Sequence, residues 1–357
     1  MTSQHEDSAS AVFILFPGDL VMHLRPDRSP TNFRKIGTLS IDYSVIMFES
    51  LFSKGGLSLD RLRSFLEMAE AGSIAKAAPG DPVRQSQISR QIRELEEFFG
   101  CELTQRRGKS LALTSAGHRL ADLVRGQLTG LDDFRREQED LPKVFVIGAG
   151  ASTLEWLVTP HLPHLAAALG GALLRTESSR SRSLVEAVQE GRVDFALLRR
   201  DAIPDASKRN TISIAKLSFH LCIPRILLPG GATKEDLVDS SIWRELPFAT
   251  GRDGGQLDQA IREAMSTAGV NFLPRFECGS ILQVRQLLVQ KSCAAIMPNL
   301  GLAGLDEKQI LITPFKPLAR YGRALVLHWN PRQIERRGID PKQLRVAAAL
   351  LTGEGGE

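Results

Sequence analysis

A chain of 357 residues is long enough for two or more domains with their own cores, and 43% apolar with 24% charged residues excludes a disordered or collagen-like polypeptide. Lys and Arg number 45 against 41 Asp and Glu, and the formal charge of +4 is too mild to argue for nucleic acid by itself. Four widely spaced cysteines without a C-x-x-C exclude a disulfide scaffold or zinc ribbon, and no run reaches the roughly 18 apolar residues of a membrane span.

Residues 1–56 lack sustained periodicity and carry turn formers (Pro17-Gly18, Pro26, Pro30, Gly55-Gly56), which predicts a weakly structured N-terminal extension. Because the organised pattern begins about ten residues after it, Met47 is a candidate for an alternative start. The opening residues are polar and acidic, unlike a secretory signal, so a soluble cytoplasmic protein is expected. Leu59, Leu62, Phe65, Leu66 and Ala69 then fall on one helical face; Gly72 ends that helix and Ser73 caps a short second one through Ile74, Ala77 and Ala78. Pro79-Gly80-Asp81-Pro82 predicts a turn, and a third helix is expected from about Gln85, with Ile88, Ile92, Leu95 and Phe99 as its buried stripe.

The other face of that third helix starts with Gln85, Gln87, Ser89, Arg90 and Arg93, residue types that reach base edges and phosphates. Its acids, Glu94, Glu96 and Glu97, come only in the second half. Gly100 stops the helix. Arg106-Arg107-Gly108-Lys109, between Leu103 and the alternating Leu111 and Leu113, predicts a two-stranded wing with a basic tip suited to sugar-phosphate contact.

The ungapped series Leu62-Arg63-Ser64-Phe65-Leu66, Gly72-Ser73, Lys76-Ala77-Ala78, Gln85-Ser86-Gln87-Ile88-Ser89-Arg90-Gln91-Ile92, Leu95-Glu96, Phe99-Gly100, Arg106, Leu113-Thr114 and Gly117 resembles the N-terminal domain of LysR-type transcriptional regulators. The resemblance implies a winged helix-turn-helix over 57–117, with Ser73, Arg84, Gln85, Ser86, Gln87, Ser89, Arg90, Arg93, Arg106, Arg107 and Lys109 as candidates for contact with double-stranded DNA. Three departures stand out. Pro79–Pro82 replaces continuing helix, Arg84 stands where the family tends to have a small N-cap residue, and Thr104 stands where an aromatic usually anchors the wing.

Residues 115–140 form one Pro-free helical pattern, which the resemblance makes a linker helix. Leu120, Val124, Leu128, Leu131 and Phe134 line one face, so a homodimer or homotetramer through this helix is expected, the alternative being packing on its own domain. RNA polymerase is a further candidate partner.

From Lys143 onward, strand-like runs (Val144–Ile147, Ala172–Thr176, Val193–Leu197, His220–Ile223, Ala294–Met297, Ala324–His328) alternate with helical ones (Leu184–Gln189, Leu257–Ala268, Ile281–Gln290), which predicts an α/β domain over 141–357 with largely parallel sheets. The overall expectation is a multidomain α plus α/β chain. By resemblance its C-terminal part is a two-lobed effector domain like the periplasmic binding proteins, one lobe at about 143–217 with a return near 313–350, the other at about 218–312. Strand ends at the cleft then select Ser152, Thr153, Arg199, Thr250, Ser280 and Pro298 for a small, anionic effector, with Arg200 and Asn299 beside them. For several of these, simple helix capping is the competing role.

Two other function classes compete with this reading. Gly148-Ala149-Gly150 after a strand, with Glu177 ending the next, admits an NAD(P)-dependent oxidoreductase, but Thr153 occupies the place of the third glycine. A secreted solute-binding protein is expected to open on a signal, unlike the polar and acidic residues here, and not to carry a helix-turn-helix pattern in front. No metal or cofactor is called for: His161 and His164 make a poor metal pair, and a Cys278/Cys293 redox pair is the minor alternative to ordinary thiols.

Overall fold

The computed structural model describes residues 48–49, 51–107, 110–228, 230, 233, 235–236, 240–252 and 256–352. The extension predicted over 1–56 falls largely outside the described residues, as do Gly108 and Lys109 at the wing tip.

Helix α1 (Leu59–Ala71) is capped by the Ser58 hydroxyl and closed by Gly72, whose left-handed φ of 73° lets its N–H reach the Met68 carbonyl. The short α2 (Ile74–Ala77) is capped by Ser73. Helix α3 runs from Pro82 to Phe99, not from Gln85. The Asp81 carboxylate accepts the Arg84 N–H at 2.9 Å, and proline at the first helical position forfeits only an N–H that would have had no helical partner. Ile88, Ile92 and Leu95 bury against Phe65 and Met68 as the periodicity requires. Phe99, placed in the same stripe, is instead exposed and meets Phe98 edge-on at 5.0 Å. Strands β1 (Thr104–Arg107) and β2 (Ser110–Leu113) pair antiparallel to form the wing.

Helix α4 (Ser115–Gln138) continues from the wing, capped by Thr114. Its predicted apolar face divides. Leu120 and Val124 belong to the N-terminal core and Leu128 packs against it, whereas Leu131 and Phe134, with Leu123, remain exposed.

The remainder forms two five-stranded sheets. In lobe I the order is β4 (Leu173–Ser178), β3 (Val144–Ala149), β5 (Phe195–Arg199), β12 (Arg323–Trp329), β6 (Thr211–Leu217). Lobe II has β11 (Ile310–Pro314), β7 (Phe219–Pro224), β10 (Ala294–Pro298), β8 (Phe248–Gly251), β9 (Phe276–Cys278). Both sheets are mixed rather than largely parallel. Three strands of each are parallel, and the crossings between lobes add antiparallel ones, β12 beside β5 and β7 beside β10. The second crossing comes later than position 313, because β11 pairs with β7 and Phe315 and Leu318 pack in the lobe II core. Helices cover both faces: α5 (Leu162–Ala168), α6 (Ser181–Gln189), α9 (Pro331–Arg336) and α10 (Pro341–Thr352) on lobe I, α7 (Gln256–Thr267) and α8 (Ile281–Val289) on lobe II. Alternation along the strands feeds two cores per sheet: Phe195, Leu197 and Leu327 face one side, Ala196, Leu198 and Val326 the other.

One buried histidine gives lobe I a pH dependence. His328 is 2% exposed; its Nδ1 lies 3.0 Å from the Asn210 carbonyl and so donates, while Nε2 is buried without a partner among the described residues. Burial pushes its pKa below the usual 6.5, with the Asn210 carbonyl working against that. A depressed folded value leaves stability intact above about pH 6.5 and removes it as pH falls toward the folded pKa, by at most about 1.4 kcal/mol per pH unit per histidine. The urea midpoint is expected to drop between pH 7 and pH 5, and His328→Asn, which keeps a donor for Asn210, should flatten that drop.

Candidate nucleic-acid interface and effector cleft

Helix α3 sorts its polar side chains into two groups. Arg84 turns inward, with Nη2 at 2.7 Å from Glu67 and 3.1 Å from Ser64 on α1. Burial raises the pKa of Glu67, but hydrogen bonds from Arg84 and Arg63 outweigh it and hold the carboxyl below its usual range. Gln85 donates to the Ala78 carbonyl at 2.8 Å, and the Ser73 hydroxyl accepts the Lys76 N–H at 3.2 Å. These three candidates brace the helix-turn-helix from within.

The second group looks outward. Ser86, Gln87, Arg90 and Arg93 are exposed and Ser89 is half-buried. Two of the three acids are occupied elsewhere: Glu94 pairs with Arg61 of α1, and Glu96 accepts the N–H groups of Leu103 and Thr104 and the Thr104 hydroxyl at 2.9–3.0 Å. Thr104 thus anchors the wing by hydrogen bonding where an aromatic would do so by packing. Arg90 keeps only a 3.7 Å contact with Glu94 and its side chain is 72% exposed. Arg106 is exposed on β1, the Arg107 backbone pairs with Ser110, and Lys109 lies outside the described residues. The N-terminal half of this face therefore presents cations and amides outward, the polarity that a phosphate-lined groove requires, and the exposed Glu97 lies beyond it toward the C-terminal end.

In the C-terminal domain, the six cleft candidates occupy the carboxyl ends of the parallel strands, three from each lobe. Ser152 and the buried Thr153 follow β3, and Arg199 ends β5. Thr250, in β8, donates to Asp258 at 3.0 Å; Ser280 caps α8, and Pro298 ends β10. Because β6 and β7 are separated only by Ser218, the crossing joins these same ends. Asn299 fastens it, accepting the Ser218 N–H and donating to the Lys216 carbonyl, both at 3.1 Å. The lobes also touch at Trp156, against which Gly301 lies so closely that a Cβ there would be 2.8 Å from the indole.

Sequence reasoning missed Tyr321 and Arg323, which arrive by the second crossing at the start of an antiparallel strand. Arg323 lies 4.4 Å over the Tyr321 ring, and Arg199 and Arg323 both reach Asp201 at 3.4 Å. Burial raises the Tyr321 phenol pKa, opposed by the charges of Arg199 and Arg323. Two guanidinium groups thus converge on one carboxylate at this edge.

The dinucleotide alternative loses its motif to packing. A Cβ at Gly148 would sit 2.5 Å from Leu184 and 3.1 Å from Val193, so this glycine admits α6 against β3. Burial pushes the Cys222 and Cys293 thiols up to about 12 and raises Cys278, the opposite of an activated thiolate. No helix among the described residues is long and apolar enough to cross a membrane.

The family model for bacterial regulatory helix-turn-helix proteins of the lysR family matches residues 59–118, and that for the LysR substrate binding domain matches residues 138–340. The chain belongs to the LysR family. This LysR-family chain is 27% identical over 143 residues to the HTH-type transcriptional regulator PecT of Dickeya dadantii, covering 40% of this chain and 45% of PecT. It is 23% identical over 292 residues to the "Probable RuBisCO transcriptional regulator" of Trichormus variabilis, covering 79% of this chain and 86% of that protein. The match spans about half the length of PecT and of the regulator TtuA of Agrobacterium vitis. Among solved structures, full-length OxyR from Pseudomonas aeruginosa, a cysteine-to-aspartate variant, superposes with a TM-score of 0.52 at 16% identity, covering 83% of this chain and 97% of OxyR. That likeness establishes the shared architecture of helix-turn-helix, linker helix and two lobes.

Proposed function

We propose that this LysR-family chain is a sequence-specific DNA-binding transcription regulator whose binding is modulated by a small anionic effector. The observation that carries the first half is the division of labour on α3, with Gln87, Arg90 and Arg93 outward and Glu94 and Glu96 tied inward. The second half rests on Arg199 and Arg323 sharing Asp201 at the cleft edge. The exposed Leu123, Leu131 and Phe134 of α4 support homodimerisation through the linker helix, which would set two reading heads at a fixed spacing. Effector-dependent lobe closure would then shift how those heads meet an operator.

The test is a fluorescence anisotropy titration of the full chain on its own upstream DNA and on a scrambled duplex, at two salt concentrations. Wild type is expected to prefer the upstream duplex at moderate salt. Gln87→Ala/Arg90→Ala should lower that specific affinity at least about ten-fold, since base-reading contacts are worth roughly 1–3 kcal/mol each. Equal binding to both duplexes that vanishes with salt would leave only the sequence-independent electrostatic component and overturn specific recognition. For the effector, carboxylates are expected to raise the thermal midpoint of wild type but not of Arg323→Gln; matched amines should do neither.

A further inference from the structure

The early start of α3 has a consequence for what the helix can read. Capping by Asp81 and the proline at position 82 add a turn before Gln85, and three side chains occupy it. Arg84 is turned back onto Glu67 and Ser64, and Pro82 is a short ring. Val83 is left as the outermost side chain, 80% exposed. Its spacing to Ser86, Gln87 and Arg90 is three, four and seven residues, so all four lie on one helical face.

A single exposed valine is ordinary on a protein surface, and exposure alone would carry nothing. Here, however, the valine sits in the first turn of a recognition helix, the end that enters the major groove. Its neighbours on that face are all hydrogen-bonding groups. In the major groove, the apolar feature that distinguishes one base pair from another is the C5 methyl of thymine. A branched aliphatic side chain has no hydrogen bond to offer a base edge or phosphate, so the contact open to it there is apolar.

We propose that Val83 is a specificity-determining residue that packs on a thymine methyl group in the bound DNA. It makes the protein require thymine at one position of each half-site, while Gln87 and Arg90 supply the polar reading beside it. This rests on the sequence-specific DNA binding proposed above.

The experiment first selects duplexes from a random library with the wild-type full chain. Each thymine of the selected site is then replaced by uracil, which removes only the methyl group and keeps the pairing edges. At one thymine per half-site the replacement is expected to weaken wild-type binding about three- to five-fold, the size of one buried methyl. Val83→Ala and Val83→Ser, which lose the contact in both half-sites of a dimer, should bind the thymine duplex about ten- to twenty-five-fold more weakly than wild type and show no difference between thymine and uracil there. As the side chain is exposed, both variants should keep the wild-type thermal midpoint. A uracil scan that is flat for wild type, or an equal uracil penalty in wild type and Val83→Ala, overturns the proposal. So does a uniform loss of affinity in Val83→Ala on every duplex, which would place the valine against protein instead. Failure of wild type to select any sequence would instead sink the specific-binding reading on which this one rests.

Discussion

Replacing Arg337 with leucine is expected to destabilise the C-terminal domain by about 3–5 kcal/mol, the usual cost of removing one partner from a buried ion pair. The Arg337 side chain is 5% exposed and four of its five N–H groups are hydrogen-bonded. Nε and Nη2 grip the Asp133 carboxylate at 2.6 and 3.0 Å, Nη1 reaches Asp194 at 3.0 Å, and Nη2 also donates to the Val144 carbonyl at 2.6 Å. The guanidinium lies 4.5 Å over the Phe145 ring. Asp194 accepts the Val146 N–H at 2.8 Å, and burial still holds its carboxyl above the usual range despite Arg337. Leucine would leave two carboxylates in the interior with no cation between them. The partners come from three places: Asp133 from linker helix α4, Asp194 from just before β5, and Arg337 from the C-cap of α9. The triad therefore fastens the linker helix to lobe I, helped by Gly126, which lets Arg336 lie against α4, and by Arg125, which donates to the Glu190 carbonyl. Urea denaturation should show the loss, and hydrogen exchange should quicken in the second half of α4. Arg337→Leu/Asp133→Leu is expected to be more stable than Arg337→Leu alone, because it removes one of the stranded charges. A double variant no better than the single one would locate the cost in lost packing.

Periodicity in the sequence located the faces of these helices but not what the faces meet. Leu120 and Phe134 belong to one stripe, yet Leu120 is buried in its own domain and Phe134 is 62% exposed. The turn signal at Pro79–Pro82 was genuine for its first half only, since a proline that breaks a helix interior is welcome at its first position. Strands β6, β9 and β11 have no counterpart among the strand-like runs, and β9 is only three residues long. At the reading face, Arg84 and Arg90 are indistinguishable as letters. What separates them is the position of Glu67 and Ser64, 17 and 20 residues away along the chain from Arg84 and brought to it only by packing. The cleft shows the same limit. Strand ends could be guessed from the α/β pattern, whereas Tyr321 and Arg323 are delivered by a crossing that the pattern does not encode.

Gly117→Ala is expected to destabilise the N-terminal domain by about 3 kcal/mol or more, at the upper end of overpacking costs, and to abolish DNA binding with it. Alanine is the better helix former by about 1 kcal/mol, so propensity alone predicts the opposite sign. The sterics decide. A Cβ at position 117 would lie 2.1 Å from the Leu103 carbonyl oxygen and 3.2 Å from Leu113 Cδ2. The carbonyl has little freedom to retreat: it accepts the Thr114 N–H at 3.0 Å, and Leu103 is itself held by Glu96 through its N–H at 2.9 Å. Thr114 closes the ring of contacts, its hydroxyl donating to the Glu102 carbonyl at 2.7 Å and accepting the Gly117 N–H at 3.0 Å. Within this knot the wing, the end of the reading helix and the start of the linker helix fix one another. An added methyl group has to push the linker helix away from the wing, which misplaces Arg106 relative to Arg90. Ser115→Ala, at an exposed position in the same helical turn, should change stability by less than about 0.5 kcal/mol. Thermal unfolding of the two variants side by side measures the difference, and a Gly117→Ala midpoint at or above that of wild type would show that the linker helix can move off the wing at no cost.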